Sequence, residues 1–212
     1  MNNTERSTVK RLAKRGQYDE ETIYNILDKH CLCHVAFSVD GQPFIIPTLF
    51  GREGNIIYMH GAIANRMLTH AAQGIELCIS VANINALVLA RSAFHHSANY
   101  ESVVLFGKGR LIEDAEEKNH ALLVVSEQVL KGRWDETRPP NEKELKATKV
   151  VAFTIEEASA KVRAEGVNDD TEDYALDHWA GLLPINTTYG EPIADDRLNE
   201  DIDIPNSIKS VL

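Results

Sequence analysis

The stretch "NIIYMHGAIANRMLTH", Asn55 to His70, begins as an apolar strand and ends as a helix. At the joint stand His60 and Gly61, and six residues after the histidine comes Arg66. Two uses fit these residue types. One is an ordinary turn. The other is a site for an anion, since amides at a helix start and a nearby guanidinium are the donors a phosphate needs. A neutral imidazole at the strand end can relay a proton or donate to a carbonyl. Gly61 then serves as a turn or as a place where backbone approaches a ligand.

Other chemistry-bearing clusters are weaker. "HCLCH", His30 to His34, lacks the paired spacing of zinc sites, and its period of two sets Cys31, Cys33, Val35, Phe37 and Val39 on one strand face. No metal site is expected there. Three cysteines and no apolar signal segment suit reduced thiols in a cytoplasmic protein. His95 and His96 lie in a loop with no third ligand at metal spacing, and Lys161 and Arg163 read as strand-end surface charges. A net charge of −10 argues against general nucleic-acid binding, so an anionic ligand would need a local positive pocket. No apolar run reaches the length of a membrane helix, and no membrane partner is expected.

These residues must be positioned by strands. The chain suggests one domain of residues 19–185, between a flexible arm (1–18) and a tail (186–212). Asp19 caps a helix with Ile23, Ile26 and Leu27 on one face. Strands near 32–39 and 42–50 meet at Asp40-Gly41, a strong hairpin signal. Pro47 within the second implies a free edge or a bulge. "IIYMH" is a third strand, and a short helix closed by Gly74 follows it. "IELCISVAN" and a long strand from Tyr100 come next, with Gly107 and Gly109 suggesting a bend or bulge. A helix capped by Asp114, a loop through Pro139-Pro140 and a sixth strand over "KVVAFTIEEASAKV" complete the layout. Antiparallel strands with helices at two joints make a mainly β protein, a small barrel with helical caps.

Taken together and in order, "IPTLFG", "YMHGAIANRML", "NYESVVLFGKGRLIED", "GRWDETRPP", "ELKATKVVAFTIEEASAKVR" and "WAGLLPI" resemble the FMN-binding split-barrel proteins related to pyridoxamine 5′-phosphate oxidase. The branch most resembled contains the 5-nitroimidazole resistance proteins, over about residues 30–185. The resemblance implies a six-stranded antiparallel Greek-key split barrel, a homodimer, and FMN at the dimer interface. It implies phosphate contacts at Asn65 and Arg66, a cofactor contact at Met67, and backbone contacts of Ile46, Pro47, Thr48 and Leu49 with the flavin ring. His60 and Gly61 would lie beside the flavin, with His60 the candidate catalytic residue. Ser102 matches a position where the oxidases use a glutamine toward the flavin, and Trp179 a segment that closes over it.

The implied activity is an FMN-dependent oxidoreductase acting on a small molecule, nitroaromatic acceptors included, with electrons from NAD(P)H or another donor. The C-terminal arginine-histidine signature of true pyridoxamine phosphate oxidases is absent from the sequence. The alternative is a non-catalytic flavin- or haem-binding module, with His60, His95 or His96 as axial ligand. A third possibility is an interaction domain with an empty cleft.

Overall fold

The computed structural model describes residues 4–199 and 201–212. Its strands are β1 (Gly16–Gln17), β2 (Leu32–Val39), β3 (Gln42–Leu49), β4 (Gly51–Glu53), β5 (Ile56–Ala62), β6 (Glu76–Leu89), β7 (Ser97–Leu111), β8 (Thr148–Arg163) and β9 (Gly181–Pro184). Its helices are α1 (Glu20–Asp28), α2 (Arg66–Ala71), α3 (Ala115–Val129), α4 (Glu142–Ala147) and α5 (Asn206–Lys209). Hydrogen bonding orders the strands β3-β2-β6-β7-β8-β5-β4, with β1 added on β8 and β9 on β6. The order has two ends, so the sheet is not closed. The six expected strands are the six long ones: β2, β3, β5, β6, β7 and β8.

The chain divides into two compact units. One comprises the N-terminal residues through Lys29, Cys78–Phe106 and Glu156–Asn186. The other comprises His30–Leu77, Gly107–Ile155 and Thr187–Leu212. Strands β6, β7 and β8 pass from one to the other in sequence, which explains why no change of composition marks a boundary.

In the first unit, Asp19 caps α1 by accepting from the Thr22 amide at 2.8 Å, and Ile23, Ile26 and Leu27 are buried. The residues read as a flexible arm pair with β8 through Gly16↔Lys161, and Arg6 meets Glu157 at 2.8 Å. The fourth strand was expected to stop near Asn83. It runs to Leu89 instead, because Ala86 and Val88 continue the buried alternation and β9 pairs with Ala86–Leu89.

In the second unit, Asp40 (φ +50°) and Gly41 (φ +79°) form the tight turn between β2 and β3. That turn sets the register Val39↔Gln42, hence Phe37↔Phe44 and His34↔Pro47. Strand β3 ends the sheet order, which accounts for the proline within it. Helix α3 buries Ala121, Val124 and Val125 against Tyr58, Ile112, Val150 and Ala152. A Cβ on Gly51 would stand 2.6 Å from the Val124 carbonyl oxygen, so the glycine lets α3 lie against β4. Asp114 caps α3 through the Glu117 amide at 2.8 Å. Asp114→Ala should lower stability by about 1 kcal/mol, measured by urea unfolding.

The loop expected after Pro139-Pro140 contains α4, which starts on a reciprocal cap between Asn141 and Glu144. Glu144 also pairs with Arg138 at 2.7 Å, which pulls its carboxyl down to about 2. In the tail, the Ser207 amide donates to Glu136 at 3.1 Å.

Candidate functional site

The strand-to-helix joint is built in the second unit. Strand β5 ends at Ala62, and the Asn65 amide turns back to its carbonyl at 2.8 Å. Asn65 is the N-cap of α2, its Oδ1 accepting from the Leu68 amide at 3.0 Å. Arg66 is therefore the first residue of the helix, and α2 is only six residues long. So short a helix contributes little dipole, and the positive charge at the joint has to come from side chains.

Two side chains supply it. The exposed Arg66 guanidinium lies over the Phe44 ring, 4.3 Å from its centroid. Phe44 stacks on Phe37 with centroids 5.5 Å apart, and Phe37 on His70 at 5.8 Å. Arg66 and His70 stand four apart on one helical face and lie across this cross-strand aromatic pair. A guanidinium with its face on a ring keeps its in-plane N–H groups for an acceptor. The second cation is Lys149, opposite Gly61 in the register and bonded to Thr69 Oγ1 at 2.6 Å. Sequence reasoning missed Phe37, Phe44, His70 and Lys149. The Asp40-Gly41 turn carries the signal for the Phe37↔Phe44 pair, whereas Lys149 arrives only through the long-range pairing of β5 with β8.

The other expected residues take distinct places. Asn65 uses its carbonyl oxygen as the cap, leaving its NH₂ group as the donor. The Met67 side chain is buried, 3% exposed, so a ligand contact there is limited to main chain. In β3, Ile46 and Thr48 alternate in phase with Phe44, and Pro47 and Leu49 face the other way. Only the first pair shares the side on which Arg66 lies. A Cβ on Gly61 would stand 3.1 Å from Leu68 Cδ1 and 3.2 Å from Asn65 Nδ2. This glycine has a packing role, which the ligand-approach reading had not included.

His60 is half-buried opposite Val150. Its Nδ1 is buried with no hydrogen-bond partner, and burial lowers the imidazole pKa from 6.5. The folded protein thus favours the neutral ring. Because the folded pKa lies below the unfolded one, this stability is complete above about pH 6.5 and is lost as pH falls from there through the folded pKa. In His60→Gln, the slope of unfolding free energy against pH just below 6.5 should flatten, read by urea melts across that window.

Ser102 and Trp179 belong to the first unit. The Ser102 hydroxyl donates to the Lys161 carbonyl at 3.3 Å. Trp179 is 71% exposed, its ring against Gly181, where a Cβ would be 2.9 Å from Cζ2. In the same unit His95 Nε2 is 3.2 Å from Asp170, and Asp173 is close enough that the three could share an ion. His96 Nδ1 accepts from the Ala90 amide at 2.9 Å.

The family model described as pyridoxamine 5′-phosphate oxidase matches residues 19–162. The chain belongs to that family. The oxidase family's antiparallel, mainly β split-barrel fold, expected from the motifs, is the fold found here. Among solved structures, the flavocytochrome Anf3 from Azotobacter vinelandii is 38% identical with a TM-score of 0.90, covering 99% of this chain and 97% of that one. The FAD- and haem-binding protein from Mycobacterium smegmatis is 32% identical with a TM-score of 0.89, covering 93% and 97%. A Bacteroides thetaiotaomicron protein named for 5-nitroimidazole antibiotic resistance is 25% identical with a TM-score of 0.58, covering 69% and 87%. The likeness to the first relative thus takes in both chain ends, which the motif resemblance left out. No curated protein matches significantly. Among the described residues, no helix is long and apolar enough to cross a membrane.

Proposed function

We propose that this member of the oxidase family is a flavin-binding redox protein that also takes haem, in the manner of a flavocytochrome. The observation that carries the flavin is the pair of cations at the β5–α2 joint, Arg66 over Phe44 and Lys149 beside Thr69. They suit a phosphate, and the orphaned, neutral His60 supplies a polar group next to them in sequence. The flavin brings the electron chemistry, and the chain's own residues hold the phosphate and set the polarity around the ring. FMN is what the motifs imply, but the M. smegmatis relative is named for FAD, and this favours the dinucleotide. A small-molecule acceptor and a reduced nicotinamide donor belong to this reading, as does a homodimer. The part-length likeness to the nitroimidazole-resistance protein is a weaker support for a nitroaromatic acceptor.

Haem is favoured by the names of the two relatives that match nearly the full chain. An axial imidazole needs a ring nitrogen without its proton. His96 engages Nδ1 with the Ala90 amide, so its neutral ring carries the proton on Nε2 and does not fit. His95 directs Nε2 to Asp170 and keeps Nδ1, so it fits, whereas the unpartnered Nδ1 of His60 is buried out of reach of an iron. The test is the absorption spectrum of the purified full chain after loading with FAD and with haem. Both a flavin band and a Soret band at one equivalent each are expected. A colourless protein that takes up neither overturns the proposal, and a flavin band alone removes its haem half.

A further inference from the structure

The first unit gathers three cations around one carboxylate. Arg15 Nη2 is 2.6 Å from Glu165 Oε2, Arg163 Nε is 3.3 Å from the same oxygen, and Lys14 Nζ is 3.7 Å from Oε1. These four residues, with His95 and His96, line one cavity of about 560 Å³. Three positive charges facing one negative leave the wall in excess of positive charge. The nearby acids do not remove it, because Asp169 is engaged by Arg91 and the Arg91 and Ser92 amides, and Asp170 by His95.

Each of the two guanidiniums also keeps one nitrogen, Nε, without a hydrogen-bond acceptor among the described residues. Arg163 is 6% exposed, and its Nε, although close to Glu165, is not in line for a hydrogen bond. Its Nη1 reaches Asn99 Oδ1, but the Glu165 and Gly166 carbonyls are met only at 3.4 Å. Arg15 Nε is likewise buried without a partner. A buried donor left unmatched is costly, and because both arginines line the cavity, an anion there can add acceptors for their remaining N–H groups.

We propose that this cavity binds the anionic end of a small ligand, a phosphate or diphosphate group, in competition with the Glu165 carboxylate. Glu165 is the stand-in. Its side chain is 41% exposed, so it can swing toward water while the incoming anion takes Arg15, Arg163 and Lys14. His96 adds a donor, since its Nδ1 accepts from Ala90 and its Nε2 carries the proton. Phe94, 88% exposed at the rim, offers an apolar surface for the rest of the ligand. The site does not rest on the flavin and haem reading, although its lining includes His95, which also fits a haem ligand.

The test is calorimetric titration of the full chain with inorganic pyrophosphate at fixed ionic strength. In Arg66→Ala, which removes a phosphate donor at the β5–α2 joint, saturable one-to-one binding at this cavity is expected to remain. In that background it should tighten about tenfold on adding Glu165→Gln and weaken about tenfold on adding Arg15→Gln. Because Arg163 is buried and its loss can unfold the chain, Arg15 and Lys14 carry the test, and a melting curve confirms that each variant is folded. Absence of saturable heat in both the wild type and Glu165→Gln overturns the proposal. So does binding that is lost in Arg66→Ala and kept in Arg15→Gln.

Discussion

Arg66→Ala should weaken flavin binding by roughly 10- to 150-fold, the equivalent of about 1.5–3 kcal/mol for a charge-assisted hydrogen bond. The guanidinium is exposed and rests on Phe44, so its removal leaves no unpaired buried charge behind. The loss would therefore fall on the complex, with little effect on folding. Stacking on Phe44 contributes about 0.5–1 kcal/mol at an exposed site, which sets the small stability change to expect. Arg66→Lys discriminates further. Lysine restores the charge but not the flat two-pronged donor, and it should recover only part of the affinity. Fluorescence titration with FAD and FMN reads all three proteins. Equal affinity in wild type and Arg66→Ala would remove the phosphate assignment.

The largest expected effect on stability is at Gly107. A Cβ there would stand 2.0 Å from the Thr154 carbonyl oxygen and 3.2 Å from Phe153 Cζ. The first is backbone of a neighbouring long strand and cannot swing aside as the end of a side chain can. Gly107→Ala should cost about 3 kcal/mol or more, the upper end for overpacking a filled site. Gly190, with nothing within 4 Å of its Cβ position, is the control. Gly190→Ala should fall within about 0.5 kcal/mol of wild type. Urea unfolding of the two variants side by side measures the contrast. Similar midpoints would mean that β7 and β8 are not so closely apposed at this point.

Gly107 also shows where sequence reasoning stops. Two glycines in a long strand read as a bend or bulge, and β7 runs through both. What they permit is close approach, of the Thr154 carbonyl at Gly107 and of the Ala71 carbonyl, 2.5 Å from a Cβ, at Gly109. That information lies in residues far away along the chain. The locally encoded features were legible: the Asp19 and Asp114 caps, the Asp40-Gly41 turn, and the apolar spacing of α1. Helix α4 was equally local, since Asn141 and Glu144 have capping-box spacing, but Pro139-Pro140 outweighed it.

The candidate site divides along the same line. His60, Gly61, Asn65 and Arg66 stand at one joint in the chain, and their residue types suggested an anion there. Lys149 comes in through strand pairing, and Phe44 gains its meaning only once Arg66 is seen lying on it. The cluster of Lys14, Arg15, Arg163 and Glu165 joins segments some 150 residues apart, and no local pattern announces it. Arg163, expected at the surface, is buried because β8 carries it into this cluster.

The most direct measurement is a crystal structure of the full chain grown with FAD. A phosphate oxygen is expected within hydrogen-bonding distance of the Arg66 guanidinium, with the Lys149 ammonium on the same group and the ring toward Ile46 and Thr48. A flavin phosphate held elsewhere, with Arg66 still lying on Phe44 and no anion at its edge, would contradict it.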